Sequence, residues 1–305
     1  MNFKIAILLA AYNGSIWIQE QINSILNQQD INITIFISID ESTDDTLEIC
    51  TLLSKQYNNI IILPNIGRIG SAAKNFFRLI RDVDINNFDY VAFADQDDIW
   101  NKDKLLKAVS QLQNSNLDVY SSNVTAFWPD DKQCLINKAQ PQVKYDYMFE
   151  SAGPGCTFVL TKKFAIDLQI FLTNKQNYMD NIALHDWFIY ALARSKNYKW
   201  HIDTNPSMLY RQHNNNVIGA NVGIKSAAVR WRRIRQGWLI DQALIIAKVI
   251  KYPDNEPMVW LERFNSFDRL KLIINARFFR RRLRDQFVIA LFFILHKKVI
   301  SNDEK

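Results

Sequence analysis

The stretch Tyr90-Val91-Ala92-Phe93-Ala94-Asp95-Gln96-Asp97-Asp98-Ile99-Trp100 decides how the rest of the chain is read. It begins as an apolar run of strand length, which reads as a buried strand of a parallel sheet. Three carboxylates follow at once. They therefore fall just past the carboxyl end of the strand, where open α/β sheets bind their ligands. Two acids spaced D-x-D can hold a hard divalent cation, and the cation can hold a diphosphate. The same acids can instead cap the helix predicted over 102–114, and D-x-D alone does not choose between these roles.

Outward from this stretch, strands and helices alternate. Residues 4–11 are a strand by composition, and Ala11-Tyr12-Asn13-Gly14 is the turn after it. Ile18, Ile22, Ile25 and Leu26 recur at helical spacing, which predicts a helix over 16–28. A β-branched run over 33–39 ends at Asp40-Glu41-Ser42. Ser42, with Asp45 three residues on, is a capping-box signature for a helix ending near residue 57. A strand over 59–63 stops at Pro64, and a helix follows over 71–81. This order predicts an α/β domain, a mostly parallel sheet with helices on both faces. After Val119 short strands (119–126, 156–161, 208–212) mix with helices over 163–173 and 185–195. From residue 225 the chain reads as long basic amphipathic helices. The expected division is an α/β domain over 1–220 and a C-terminal helical extension over 221–305.

With 305 residues, 48% hydrophobic and 22% charged, the chain can bury a sizeable core. Its three Cys are odd in number and widely spaced, against a disulfide framework or structural zinc site and in keeping with a reducing compartment. The N-terminus lacks a signal-peptide layout, and no apolar run reaches the roughly 18 residues of a spanning helix. The net charge of +6 is uneven: residues 225–300 hold 17 Lys+Arg against 6 Asp+Glu, and the remainder 20 against 25. Such asymmetry points to an anionic partner for the C-terminal part. No nucleic-acid motif accompanies it, and its aromatics lie in apolar helical stripes rather than as stacking platforms, so nucleic acid is not the expected partner.

Four strand ends or loops offer polar groups that could converge: 11–14, 40–42, 67–75 and 95–98. A nucleotide needs such a set. Asp40 can accept from a uracil or thymine ring N–H or cap a helix with Ser42, and residue type leaves both open. Lys74 and Asn75 can approach base or phosphate, or simply begin a solvated helix. Gly153-Pro154-Gly155-Cys156 reads as a turn that borders a sugar pocket or is purely structural.

With these residues in hand, the chain resembles glycosyltransferase family 2. Leu8-Leu9-Ala10-Ala11-Tyr12-Asn13-Gly14, Ser42-Thr43-Asp44 and Asp95-Gln96-Asp97-Asp98-Ile99-Trp100 look like its ordered motifs. His185-Asp186-Trp187 and Tyr210-Arg211-Gln212-His213-Asn214-Asn215-Asn216-Val217 resemble the later motifs of its bacterial polysaccharide branch, which includes rhamnosyltransferase-like enzymes. The resemblance covers about residues 3–219. It implies the GT-A fold, an inverting mechanism, a nucleotide-diphosphate sugar donor and a divalent metal, Mn²⁺ or Mg²⁺. The implied donor is dTDP- or UDP-linked, with rhamnose the first expectation. The implied acceptor is a lipid-linked or growing surface glycan such as O-antigen, capsule or cell-wall polysaccharide.

By the same resemblance Asp40 contacts the base, Asp95 lies near ribose or metal, Asp97 and His213 ligate the metal, and Asp186 is the general base. Ala11, Tyr12, Asn13, Lys74, Asn75 and Gln96 complete the expected nucleotide-sugar site. Trp100, Trp187 and Arg211 are expected at the acceptor or as pocket walls. The chain departs from the family pattern at Ile39-Asp40-Glu41, where an acid and a Gly are replaced, at Phe188, where Trp is common, and at Asn214, where Gly is common. Two rival classes remain, a sugar-phosphate nucleotidyltransferase and a non-catalytic nucleotide-binding scaffold. The first is disfavoured because residues 11–14 carry no Lys or Arg, the second because Asp97, Asp186 and His213 are all present.

Two clusters punctuate the basic helices. Arg230, Arg232, Arg233 and Arg235 lie beside Trp231, Ile234, Trp238, Leu239 and Ile240. Arg277, Arg280, Arg281, Arg282 and Arg284 lie beside Phe278, Phe279, Leu283 and Phe287. Such helices suit an anionic lipid surface, which predicts a cytoplasmic protein held peripherally on the inner face of the cytoplasmic membrane. Packing on the catalytic domain or on a second subunit, as a homo-oligomer, is the alternative.

Overall fold

Seven strands build the main sheet, in the order β10-β6-β9-β4-β1-β2-β3. Its centre is β1 (Lys4–Ala11), whose residues Ile5 to Leu9 are wholly buried and which pairs in parallel with β2 (Asn32–Ile39) on one side and β4 (Tyr90–Asp95) on the other. Such strands carry apolar residues on both faces because both faces are covered. The crossovers supply the cover: α1 (Ile18–Leu26) joins β1 to β2, and α2 (Thr46–Gln56) leads to β3 (Ile60–Ile62). The next crossover, α3 (Ala72–Asp82), turns Phe76, Phe77 and Ile80 inward. These features come from the computed structural model, which describes residues 3–213, 237–252 and 256–296.

After β4 come β5 (Ile99–Trp100), α4 (Lys104–Asn114), β6 (Val119–Ser122), β7 (Val124–Phe127) and β8 (Gln133–Ile136). Then follow β9 (Val159–Thr161), α5 (Lys162–Asn174), α6 (Gln176–Met179), α7 (His185–Ser195), β10 (Trp200–Asp203) and β11 (Met208–Arg211). β9 slots between β4 and β6, antiparallel to both. A second, four-stranded sheet has the order β5-β11-β7-β8.

The structure revises several boundaries. The strand expected over 119–126 is two strands in two sheets, broken at Asn123. That residue is buried, donates from Nδ2 to Thr204 O at 2.8 Å and accepts from Lys138 N at 2.6 Å, so its side chain fixes the switch. Ser42 does not cap a helix. Its hydroxyl donates to Asp40 O and accepts from Asn13 N, and α2 begins only at Thr46. The cap of α3 is as its sequence suggests, with Ser71 Oγ accepting from Lys74 N.

The chain divides into two compact units, Met1–Ala139 with Ala152–Ala220, and Gln140–Ser151 with Asn221–Lys305. Sequence patterning does not set Gln140–Ser151 apart. Its place in the second unit is fixed by Tyr145 N donating to Phe278 O, Phe149 packing on Phe279 at 4.5 Å, and Asp146 pairing with Arg281 at 2.9 Å. The second unit holds α8 (Trp238–Val249), α9 (Glu256–Arg263), α10 (Ser266–Ile274) and α11 (Leu283–Leu295). These helices are shorter than expected. Asn265 caps α10 by accepting from Asp268 N, and a 3₁₀ turn at Ala276–Phe278 follows α10. Among the described residues no helix is long and apolar enough to cross a membrane.

The structure also corrects the reading of the basic clusters. The Arg281 side chain is fully buried between Asp146 and Glu150, so it cannot meet lipid. Leu239 and Ile240 are buried too, while residues 230–235 lie outside the described residues.

Candidate active site

Three loops at the carboxyl ends of β1, β2 and β4 are tied into one body by side-chain-to-backbone hydrogen bonds. Gln96 clamps Tyr12, accepting from its N–H and donating to its carbonyl, each at 2.7 Å. A Cβ on Gly14 would stand 2.3 Å from Gln96 Oε1, so only glycine lets this clamp close. Asn13 N donates to Ser42 Oγ at 3.1 Å, Thr43 N to Asn13 Oδ1 at 2.8 Å, and Gly14 N to Thr46 Oγ1 at 2.8 Å. Ser15 N donates to Asp44 Oδ2 at 3.0 Å. Burial alone would raise the Asp44 pKa, but these bonds from Thr46 and Ser15 outweigh it and hold the carboxyl below its ordinary range. From below, Gln21 Nε2 donates to Asp95 O at 2.9 Å. The backbone donors and acceptors that a loop normally gives to water are thus satisfied internally.

The acids of the β4 loop face different partners. Asp97 Oδ2 lies 2.7 Å from His213 Nε2, with both side chains largely buried. The His213 ring stacks on Trp17 at 4.1 Å. Arg211 braces the same loop: its Nε donates to Asp97 O at 2.8 Å, its N–H to Asp98 Oδ1 at 3.2 Å, and its guanidinium pairs with Glu20 at 2.5 Å. Asp95 and Asp98 instead gather with Cys156, one ligand atom from each lying within 4.8 Å of the others.

Beneath them Lys104 is wholly buried, with Nζ donating to Cys156 O at 2.8 Å and sitting 3.2 Å over the Trp100 ring. Burial pushes the Lys104 pKa down to about 7, against the pull of Cys156, Asp98 and Asp95. Burial, then the charge of Asp97, raises both carboxyls, with Asp186 adding to the rise at Asp95. Burial likewise raises the Cys156 thiol.

The donor chemistry separates the two sets. Two ligand atoms of one octahedral divalent ion stand about 3 Å apart when each bond is about 2.1 Å, and Asp97 Oδ2 and His213 Nε2 meet that spacing. In the other set, Asp98 Oδ2 is a buried acceptor with no hydrogen-bond partner. The Asp95–Asp98–Cys156 set suits a divalent ion less. A thiol is a soft ligand that suits Mg²⁺ or Mn²⁺ poorly, and the Lys104 amine already lies against Cys156.

The other expected residues fall as follows. Asp186 opens α7 and accepts from Trp187 N at 2.7 Å. Tyr12 is exposed at the loop tip. Asp40 is mostly buried, with its carboxylate accepting from Glu41 N, Ile69 N and Gly70 N, the last two at 2.6 and 2.8 Å. Lys74 forms a surface ion pair with Asp180 at 2.8 Å. Asn75 is buried, with Nδ2 donating to Ser38 O under β2. Trp100 and Trp187 are each 3% exposed. Arg211 braces the acid loop through its N–H and Nε and reaches Glu20 of α1 through its guanidinium.

Sequence reading missed Trp17, Glu20 and Lys104. Trp17 and Glu20 share the face of one helical turn, a spacing that could have linked them. It also missed His185 Nε2, which is buried without a hydrogen-bond partner while the ring stacks on Phe76 at 4.1 Å. A Cβ on Gly155 would stand 2.3 Å from that nitrogen. The turn at 153–156 is therefore shaped around His185.

Comparison with known proteins agrees with this geometry. Residues 6–214 match the family described as Glycosyl transferase family 2. The chain is 49% identical over 243 residues to dTDP-rhamnosyl transferase RfbG of Shigella flexneri, covering 79% of this chain and 84% of the relative. It is 24% identical over 180 residues to the Escherichia coli UDP-Glc:alpha-D-GlcNAc-diphosphoundecaprenol beta-1,3-glucosyltransferase WfgD, covering 58% and 68%. Its fold resembles S. aureus TarS 1-349 in complex with UDP, with TM-score 0.57 and 16% identity over 95% of this chain and 80% of that one. The GT-A-like α/β sheet, the ordered loops at its carboxyl edge and a family match over more than half the chain lead to one conclusion: the protein belongs to glycosyl transferase family 2.

Proposed function

We propose that this glycosyltransferase moves rhamnose from dTDP-rhamnose to a hydroxyl of a lipid-linked bacterial surface glycan, with inversion at the anomeric carbon. The observation that carries the reading is the presence of Asp97, His213 and Asp186 in a chain 49% identical to a dTDP-rhamnosyl transferase. The unit containing residues 1–139 and 152–220 acts as the catalytic domain. A diphosphoundecaprenol-linked acceptor is named for the E. coli relative, which supports a lipid-linked acceptor here and work at the cytoplasmic face of the membrane.

Asp186 takes the proton from the acceptor hydroxyl as its oxygen forms the bond to the anomeric carbon. The bond from that carbon to the diphosphate oxygen breaks on the opposite face, and the electron pair leaves with dTDP. The sugar ring becomes oxocarbenium-like on the way. Asp97 and His213 would hold Mn²⁺ or Mg²⁺, with the imidazole favouring Mn²⁺, and such an ion when bound neutralises charge on the departing diphosphate. Tyr12 presents its ring to the base, and Asp40 accepts from the ring N–H once Ile69 and Gly70 release it. Arg211 and Gln96 hold the acid loop against the β1 turn.

The test is transfer from dTDP-rhamnose to a short diphosphoundecaprenol-linked acceptor, with UDP-glucose and UDP-GlcNAc as competing donors. Release of dTDP with a product of inverted anomeric configuration is expected. Preferential use of a UDP-sugar would overturn the donor assignment, and a product of retained configuration would overturn the mechanism.

A further inference from the structure

Within the second unit, α11 is apolar on both sides. Its inner side, Ile289, Phe292 and Phe293, is buried, with Phe293 in ring contact with Phe264 and Phe279. Its outer side carries Leu283, Phe287, Leu291, Ile294 and Leu295, all exposed, with Phe287 at 68%. Leu283, Phe287, Leu291 and Leu295 recur every four residues, so they form one stripe along the helix, about 18 Å long at ~1.5 Å per residue. Neighbouring α10 exposes Phe267, Leu270 and Ile274 at three- and four-residue spacing. Arg269 joins the two helices by donating to the carbonyls of Phe293 and Ile294. A helix apolar all round is normally covered, and contiguous exposed apolar surface marks an interaction site.

The charges around the stripe indicate what covers it. Residues 266–296 contain seven Lys+Arg and two Asp+Glu, but Arg281 is buried against Asp146 and Arg280 lies beside Glu150, which leaves five cations for the surface. Both acids are already engaged: Asp268 is buried beside Lys271, and Asp285 pairs with Arg284. Arg277 is exposed and makes no ion pair among the described residues. Arg284 projects at the start of the stripe with its side chain 71% exposed. An apolar face rimmed by cations complements a surface with an apolar interior and anionic headgroups. A second copy of the chain would bring the same positive rim against itself, which disfavours self-association.

We propose that the outer face of α10 and α11 is a lipid-docking surface that seats the protein on an anionic bilayer. Phe287 and Leu291 enter the headgroup boundary while Arg277 and Arg284 meet the headgroups. Docking is independent of the transfer reaction, so its test needs no sugar donor.

The full-length protein would be sedimented with vesicles of phosphatidylcholine containing about one-third phosphatidylglycerol, and with pure phosphatidylcholine. Binding to the first and little to the second is expected, weakened in ~1 M salt where screening is short-ranged. Phe287→Glu with Leu291→Glu should lower partitioning at least about ten-fold, and Arg277→Glu about five-fold or more, since each basic residue near such a surface contributes roughly a five-fold factor. Circular dichroism checks that the variants are folded, and Phe287→Ser with Leu291→Ser serves if the Glu pair is not. Absence of wild-type binding, or equal binding by a folded stripe variant, would overturn the proposal. So would a wild-type dimer that the stripe substitutions convert to monomer with no vesicle binding, because the face would then belong to a second copy.

Discussion

Asp97 and Asp98 are chain neighbours, yet they live in different electrostatic worlds. Asp97 faces His213 at 2.7 Å, beside a stacked indole and an arginine brace. Asp98 faces inward with Asp95 and Cys156 above a buried ammonium. Acidic residue type is common to the two sets, and the neighbours each carboxyl faces separate them.

The largest effect should come from removing an acid that belongs to neither set. Asp186→Asn should slow transfer by about 10²–10⁴ while donor affinity changes only a few-fold. Single-turnover rates with saturating donor would check it. Near-normal rates would mean that one of the β4 acids is the base, and the division drawn here would fail.

Next in size is Lys104→Met. Leaving the buried Cys156 carbonyl without its donor should cost about 1–3 kcal/mol of stability, whereas Asp97→Ala should cost less. Urea unfolding of both variants sharpens the contrast, and equal losses would erase it.

His185 comes third. Burial lowers its pKa to about 3 from 6.5, so below pH 6.5 the unfolded chain binds a proton that the folded chain refuses. Stability must therefore fall as pH drops from 6.5 towards 3, by about 2 kcal/mol at pH 5 from this residue alone. His185→Phe should flatten the unfolding profile between pH 7 and pH 5. An unchanged slope would show that the ring titrates normally.

The smallest effect concerns Trp17. Truncating it to Ala removes a ring stack of about 0.5–1.5 kcal/mol that orients His213, so Mn²⁺-dependent donor binding should weaken about 2- to 12-fold. In a His213→Ala background the same change should do almost nothing, because the two residues act through one contact. Additive losses in calorimetric titrations would show that Trp17 acts on something other than the histidine.

How much of this was legible in the sequence depended on whether a residue's role is set locally. The β4 run, the Ser71 cap and the order of the five motifs could be read directly, because buried strands and helix starts impose composition on neighbouring residues. Ser42 was misread because its spacing to Asp45 satisfies a capping box, while the hydroxyl is needed by Asn13 from another loop. Asn123 could not be read as a break, since nothing in Val119–Phe127 announces that two sheets share it. Lys104 looked like an ordinary helix-start lysine, and only the fold reveals the acids above it. Arg281 was misread most fully. In a run of arginines, sequence alone cannot tell which one is folded inward against Asp146, more than a hundred residues away.

The two hydrogen bonds between Gln96 and the backbone of Tyr12 carry a thermodynamic consequence. They join the turn proposed to meet the base to the loop that carries Asp97, so neither can shift without breaking the other's contacts. Occupancy at one end therefore changes the free energy of binding at the other, and binding free energies couple symmetrically. Whatever factor a divalent ion adds to nucleotide affinity, the nucleotide must return to the ion. Gln96→Ala, which cuts the joint and leaves each set of contacting groups in place, should bring that factor towards one from both directions.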